Sequence, residues 1–203
     1  DKYSSSRFRS IEGNWRFNFV ENANERPENF YAVGYDDSKW DMFPVPGLFE
    51  MNGYGDRIYV NVGYVWRNQF DNNPPFVEER NNYVGSYRQN FTIPADWKGE
   101  KVYIHIGSAT SNLKVWVNGK YVGYSEDSKM AAEFDITDYV EFGKPNLIAM
   151  QIMRWCDGSY LEDQDFWRFT GIAREAYLYA RPQSRIKDYR VYTHLDSEYK
   201  NAK

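Results

Sequence analysis

The chain has 203 residues, of which 42% are hydrophobic and 27% are charged, an ordinary composition for a globular protein. Its net charge is −4 at pH 7. The chain has no long run of Lys or Arg, so it lacks the basic face that binding to nucleic acid requires. No apolar stretch is long enough to span a bilayer. We therefore expect a soluble protein without a membrane partner, in either the cytoplasm or the periplasm.

The apolar residues recur at every second position in several short runs, which is the period of a strand with one buried face. An almost continuous apolar run at residues 147–153 predicts a strand covered on both faces. Asn118-Gly119 lies between two runs and predicts a tight hairpin, because both residues accept positive φ. The pattern predicts an all-β fold, a sandwich or a barrel, and we favour a jelly-roll sandwich. The alternating runs are residues 15–19, 87–91, 102–106 and 113–117.

Two segments interrupt this regularity. Residues 61–84 are rich in Asn, Arg and aromatic residues and have Pro74-Pro75 near their middle. Long irregular loops are usually functional or disordered, and the many rings here predict an ordered loop. Near the C-terminus, a new alternating run begins at Ile186 after the strand-like end of the sandwich. We expect residues 1–181 to form the jelly roll, and residues 182–203 to be a linker and the first strand of a truncated following domain.

The candidate site is the polar loop that follows the apolar run at residues 147–153. It contains the carboxylates Glu162, Asp163 and Asp165, three in four residues, and it is flanked by Arg154 and Arg168. Like charges this close need a cation, an arginine or hydroxyl donors between them. The aromatic residues of the loop are Trp155, Tyr160, Phe166 and Trp167.

Two interpretations of this loop remain open on composition alone. One is a surface loop held together by an arginine–carboxylate network. The other is a polyol site, where carboxylates accept hydrogen bonds from sugar hydroxyls and rings stack on the apolar face of a pyranose. A complete glycosidase pair would need two carboxyl groups about 5–5.5 Å apart for retention. Glu162 and Asp165 could reach that separation, as could many surface pairs.

Cys156 is the single cysteine, so an internal disulfide is excluded. A nucleophilic cysteine needs a histidine partner, and the two histidines are His105 in a strand-like run and His194 near the C-terminus. We predict that Cys156 is a small buried residue, with neither a zinc site nor a Cys–His pair.

The residues from Asp157 to Arg168, followed by Gly171-Ile172, closely resemble a signature of family 2 glycoside hydrolases, in the β-galactosidase branch. The resemblance extends in order along almost the whole chain. Its other motifs begin at Gly13, Val45, Tyr54, Pro74, Gly85, Trp116 and Glu133.

The resemblance implies a multidomain retaining β-galactosidase, in which residues 1–181 are a galactose-binding-like jelly-roll sandwich that binds sugar. An immunoglobulin-like domain, which would begin within residues 182–203, and a TIM barrel would follow it. Both catalytic glutamates would lie on the barrel, so no catalytic residue is expected in this chain and the chain alone would be inactive. Within the chain, the resemblance implies that Asn61 contacts the galactosyl group. Asp165 would contact the sugar and bind sodium, in a shell completed by residues outside this chain. Magnesium is a second implied cation, and a homo-oligomer is an implied assembly.

Two alternatives to this reading remain. The chain could be a carbohydrate-binding module that acts alone, because jelly rolls of this kind also serve that purpose. It could instead be a structural or oligomerisation domain, with no contact between Asn61 or Asp165 and a substrate.

Overall fold

The computed structural model describes residues 1–66, 69–162 and 164–203. These residues form strands joined by loops and short 3-10 helices, and no α-helix occurs among them. The strands are β1 (Phe8–Ser10), β2 (Gly13–Val20), β3 (Asp41–Val45), β4 (Gly47–Leu48), β5 (Ile58–Val60), β6 (Val84–Thr92), β7 (Lys101–Ile106), β8 (Ala109–Thr110), β9 (Leu113–Val117), β10 (Lys120–Ser125), β11 (Ala132–Asp135), β12 (Pro145–Met153), β13 (Phe166–Arg168), β14 (Gly171–Ile172) and β15 (Ala176–Arg181). The 3-10 helices are Lys2–Ser4, Ala23–Glu25, Phe49–Met51, Ala95–Trp97, Thr137–Tyr139 and Asp157–Leu161.

Two antiparallel sheets enclose one apolar core. The larger sheet has the order β10-β9-β12-β6-β2-β3, and the smaller has the order β1-β15-β7-β11. Alternate residues of both sheets meet in the core: Ile104 of β7 and Leu178 of β15 lie in the same buried cluster as Phe17 of β2 and Met150 of β12. The all-β sandwich predicted from the sequence is therefore confirmed.

The predicted hairpin forms where Asn118-Gly119 joins β9 to β10. Both residues have positive φ, 50° and 80°, and Lys120 pairs with Val117 directly across the turn. The tight connection is possible because Asn and Gly tolerate this backbone region.

The apolar strand β12 is covered on both faces, as its sequence predicts, because residues 21–40 lie across the outer face of the larger sheet. Arg88 of β6, which is 4% exposed, holds this segment in place. Its guanidinium donates to the carbonyls of Phe30, Ala32 and Tyr35 and forms an ion pair with Asp37 at 2.7 Å. One buried cation thus satisfies several backbone acceptors of a long loop.

The strand predicted from the alternating run at Ile186 does not form. Ile186 and Val191 are 83% and 74% exposed, and within residues 182–203 the structure has only the isolated bridge between Leu195 and Ala202. Period-2 alternation yields a strand only where a sheet edge accepts its hydrogen bonds, and no described strand pairs with this run. The assignment of residues 182–203 to a following domain stays a prediction.

None of the helices in the described ranges is long and apolar enough to cross a membrane.

We predict that Arg88→Leu lowers the free energy of unfolding by about 3 kcal/mol. The substitution removes the buried arginine from its ion pair with Asp37 and leaves the loop carbonyls without a donor. Urea denaturation followed by tryptophan fluorescence measures the loss. The matched control is Lys144→Ala, which removes an exposed pair with Glu141 and should leave the midpoint unchanged. Equal midpoints for wild type and Arg88→Leu would contradict this role of Arg88.

Candidate functional site

The two residues predicted to contact a ligand are brought together by a two-stranded antiparallel ribbon. β13 pairs with β5 so that Phe166 lies opposite Val60. The same register, continued by one residue, places Asp165 opposite Asn61. Two segments that are far apart in sequence therefore meet at one end of the ribbon. Tyr59 and Asp165, for example, are separated by 106 positions in the chain.

One face of this ribbon is exposed and carries the side chains of Tyr59 and Trp167, and strand alternation, continued by one residue beyond β5 and β13, assigns the exposed Asn61 and Asp165 to the same face. They share a face because alternate residues of a strand point the same way. Tyr59 and Trp167 are 53% and 51% exposed, whereas Val60, which lies between Tyr59 and Asn61 in the sequence, is 5% exposed. The rings of Tyr59 and Trp167 lie 5.6 Å apart. This ribbon face places a carboxylate and a carboxamide beside two aromatic rings.

A hydrogen bond across the ribbon face fixes Asp165. The hydroxyl of Tyr59 donates to Oδ1 of Asp165 at 2.5 Å. This bond, more than burial, raises the pKa of the Tyr59 phenol. The sequence analysis did not single out Tyr59. The spacing Tyr-x-Asn, which puts Tyr59 and Asn61 on one face of a strand, was the signal that could have identified it.

Arg154 ties the beginnings of both site segments together. It directly follows β12, and it forms an ion pair at 3.0 Å with Asp56, which precedes β5. It also donates to the Asp56 carbonyl, and its guanidinium lies 4.2 Å from the centre of the Tyr83 ring. Burial works against ionisation of Asp56, but hydrogen bonds from Arg154 and Tyr83 hold the pKa of its carboxyl below the usual value.

This arrangement corrects one interpretation of the sequence, in which Arg154 was expected to help neutralise the carboxylates of the loop. The guanidinium instead points to Asp56. Arg168, the other flanking arginine, donates to the carbonyl of Gln164 and lies 4.3 Å from the centre of the Phe166 ring.

The described residues of the long loop pack against the site loop, as its aromatic content predicts. Val65, Trp66 and Trp155 form a buried cluster, and the ring of Tyr160 lies 4.7 Å from that of Trp66. The carboxamide of Asn82 adds polar support, because it accepts from the amide of Trp155 at 2.9 Å and donates to its carbonyl at 3.1 Å. The carboxamide of Asn82 thus satisfies both the backbone N–H and the backbone carbonyl of Trp155, as a neighbouring strand does in a sheet.

The remaining acidic residues of the site loop have different positions. Glu162 accepts a hydrogen bond from the amide of Ser128 at 3.3 Å, which ties the loop to the sandwich. Asp157 begins a 3-10 helix and lies near Glu126 and Cys156, with one ligand atom of each within 4.8 Å of the others. Asp163 lies outside the described residues.

Cys156 is buried, as predicted, at 7% exposure. Its thiol lies 3.7 Å from the carbonyl of Ser111, and burial raises its pKa. A thiol that resists ionisation is a poor nucleophile, which agrees with a packing role for this residue.

Glu50 is a buried acid that sequence reasoning missed. Its side chain is 3% exposed, and its two oxygens accept hydrogen bonds from the amide and the hydroxyl of Thr170, both at 2.9 Å. Thr170 lies between β13 and β14, so this carboxyl holds the end of the ribbon against the sandwich. Burial raises the pKa of Glu50. Nothing in its local sequence distinguishes Glu50 from a surface residue.

Comparisons with known proteins identify the family of the chain. The model of the family described as glycosyl hydrolases family 2, sugar binding domain, matches residues 8–182. The chain belongs to this family, which confirms the family predicted from the site loop.

Curated relatives of the chain carry the name of the branch that the loop sequence resembles. A beta-galactosidase of Priestia megaterium is 45% identical over 202 residues, which are 100% of this chain and 19% of the relative. Beta-galactosidases of Halalkalibacterium halodurans and Clostridium acetobutylicum are 42% and 39% identical and are matched over 92% and 96% of this chain. The chain spans about a fifth of the length of these relatives, 18% and 22% for the last two.

Solved structures share the fold at lower identity. A beta-glucuronidase of an uncultured Clostridium superposes with a TM-score of 0.67 and 20% identity, over 96% of this chain and 33% of that one. A beta-glucuronidase of Bacteroides uniformis superposes with a TM-score of 0.64 and 23% identity, over 86% of this chain and 18% of that one. At these identities the likeness concerns the fold alone.

The buried carboxyl of Glu50 should make stability depend on pH in a definite direction. Its pKa in the folded state lies above the unfolded value, so its contribution is fully present below the unfolded pKa and is lost as pH rises through the folded pKa. Glu50→Gln cannot titrate. We therefore expect the unfolding free energy of Glu50→Gln, relative to wild type, to increase with pH above the usual glutamate range and then level off.

Urea titrations of both proteins at a series of pH values measure this difference. Asp36→Asn is a suitable control, because hydrogen bonds from Ser38 lower the pKa of that exposed carboxyl and its contribution has the opposite sign. A pH-independent difference between wild type and Glu50→Gln would show that Glu50 has no raised pKa in the folded protein.

Proposed function

We propose that this chain is the sugar-binding domain of a β-galactosidase, an enzyme that removes terminal non-reducing β-D-galactose residues. In this proposal the chain contributes galactose and cation contacts to an active site on a TIM barrel elsewhere in a longer polypeptide. The observation that carries the proposal is the ribbon face, where Asn61 and Asp165 lie together beside Tyr59 and Trp167. The names of the relatives and the small share of their length that this chain spans support it.

The ribbon face has the chemistry of a sugar contact. The carboxylate of Asp165 accepts hydrogen bonds from sugar hydroxyls, and the carboxamide of Asn61 both donates and accepts. The rings of Tyr59 and Trp167 offer flat, partly apolar surfaces to a pyranose. Half-exposed rings beside exposed polar groups suit a hydrated, polar ligand better than an apolar ligand.

The chain itself is proposed to bind and not to hydrolyse. Of the two acids that could form a glycosidase pair, Glu162 is engaged with the Ser128 amide and Asp165 with the Tyr59 hydroxyl. Retaining hydrolysis needs an acid/base carboxyl and a nucleophile carboxylate across the glycosidic bond. We assign these roles to glutamates on the barrel, at the strand ends where barrel enzymes place their catalytic groups.

The donor set on the ribbon face fits a hard cation in part. Asp165 offers a carboxylate oxygen and Asn61 a carboxamide oxygen, and hard cations prefer oxygen ligands. Two donors do not fill a coordination shell, so ligands from other parts of the polypeptide and from water would complete it. Sodium is the proposed cation at Asp165, and magnesium is proposed as a second cation of the whole enzyme.

The proposed domain organisation places the jelly roll at residues 1–181 and the start of an immunoglobulin-like domain at residues 182–203. Three observations support this boundary: β15 ends at Arg181, the family model ends at residue 182, and the residues that follow are exposed. The rest of the polypeptide and a second copy in a homo-oligomer are the proposed partners.

The test is Asp165→Ala in the complete polypeptide, assayed with a chromogenic β-galactoside. We expect kcat/KM to fall about 100-fold, because a charged hydrogen-bonding partner of the substrate is lost. Asp36→Ala, which removes an exposed carboxylate of the segment at residues 21–40, should leave kinetics unchanged. Equal kinetics for Asp165→Ala and wild type, with equal melting temperatures, would favour a purely structural or oligomerisation domain.

A stand-alone binding module is the second candidate, because the ribbon face is exposed in this chain. Calorimetry with galactose and residues 1–203 separates the two. Micromolar affinity would favour the module, whereas millimolar affinity or none is expected of a domain that shares its site. Cleavage of the chromogenic substrate by residues 1–203 alone would contradict both proposals.

A further inference from the structure

The contact between Tyr59 and Asp165 assigns a role to a residue that otherwise looks like a surface aromatic. Tyr59 lies opposite Trp167 in the ribbon, and Asp165 is two residues before Trp167, directly before β13 begins. Diagonal neighbours of this kind are within reach of a long side chain. The Tyr59 hydroxyl donates to Oδ1 of Asp165 at 2.5 Å.

We propose that Tyr59 is a positioning residue of the sugar site, whose hydroxyl holds the Asp165 carboxylate in the orientation that the ligand requires. This inference rests on the proposed function of Asp165. Oδ1 is bound by the phenol, and Oδ2 is the oxygen assigned to the ligand on the ribbon face. An exposed aspartate at a strand end otherwise samples several rotamers, and binding would have to select one of them.

The ring of Tyr59 is itself held in place. It packs on Trp167 at 5.6 Å, and Trp167 is stacked on Phe169 at 5.8 Å with an interplanar angle of 4°. This row of three rings supports the phenol from the side away from Asp165. The hydroxyl therefore acts from a fixed position, as a group that orients a binding residue must.

The ring and the hydroxyl make separable contributions. Phenylalanine at position 59 retains the contact with Trp167 and removes only the hydrogen bond, whereas leucine removes both. A hydrogen bond to a carboxylate is stronger than a neutral one. If the hydroxyl is what matters, Tyr59→Phe should already show the full defect in ligand binding.

The experiment measures kcat/KM and the inhibition constant for free galactose in the complete polypeptide carrying Tyr59→Phe. We expect kcat/KM to fall roughly tenfold and the galactose inhibition constant to rise by a similar factor, with an unchanged melting temperature. The matched control is Tyr121→Phe. Tyr121 is also 53% exposed, and its ring packs on Trp116 at 5.7 Å, but it lies on β10 in the larger sheet. Both constants should stay at the wild-type value in this control.

A double-mutant cycle with Asp165→Ala separates positioning from any other effect. The tenfold effect of Tyr59→Phe should disappear in the Asp165→Ala background, because no carboxylate remains to be oriented. A tenfold loss that persists in that background would overturn the inference. So would wild-type behaviour of Tyr59→Phe together with a defect in Tyr59→Leu, which would make ring packing the only role.

The same data distinguish failure of this inference from failure of the proposed function. A strong defect in Asp165→Ala with none in Tyr59→Phe overturns only the role of Tyr59. Wild-type kinetics in Asp165→Ala would remove the proposed site, and the positioning role with it.

Discussion

The ion pair between Arg154 and Asp56 connects the centre of the sandwich to the ribbon that carries the site. Arg154 directly follows β12, the strand most completely covered in the larger sheet, and its own side chain is 3% exposed. Asp56 lies two residues before β5, at the start of the two-stranded ribbon. A buried guanidinium needs a partner, and its hydrogen bonds leave little freedom in where that partner lies. The beginnings of both site segments are therefore fixed relative to the core.

The ribbon needs this support because two strands alone are marginally stable in water. It has three attachments to the rest of the fold, each of different chemistry. The ion pair of Arg154 with Asp56 and the hydrogen bonds of Glu50 with Thr170 both lie at the end where Ile58 pairs with Arg168, and the cluster of Trp66 and Trp155 packs beside the ribbon. Because these attachments use the inner face and one end, the outer face with Asn61 and Asp165 at the opposite end stays exposed.

Much of the fold could be predicted from the sequence, because strand periodicity and turn chemistry are local properties. The core positions in β7 and β9 and the Asn118-Gly119 hairpin follow from them directly. The strand expected at Ile186 did not form, since alternation records a preference for a buried face and does not supply a partner edge. The apolar run of β12 indicated that both faces of this strand are covered. It did not indicate that residues 21–40, held by Arg88, provide the cover of the outer face.

The site was predictable only in part. The residues Asn61 and Asp165 came from a resemblance, and their approach depends on a register between segments far apart in sequence, which no local pattern encodes. For the same reason the partners of Arg154 and Tyr59 were missed. Glu50 was missed because its burial results from the path of the chain around Thr170 and not from its neighbours in sequence.

A crystal structure of the complete polypeptide with bound galactose would test whether the ribbon face contacts the sugar. We expect the sugar hydroxyls to form hydrogen bonds with Asp165 and Asn61, and the Tyr59 hydroxyl to remain bound to the Asp165 carboxylate. Galactose bound in the polypeptide without contact to Asp165 or Asn61 would contradict this expectation.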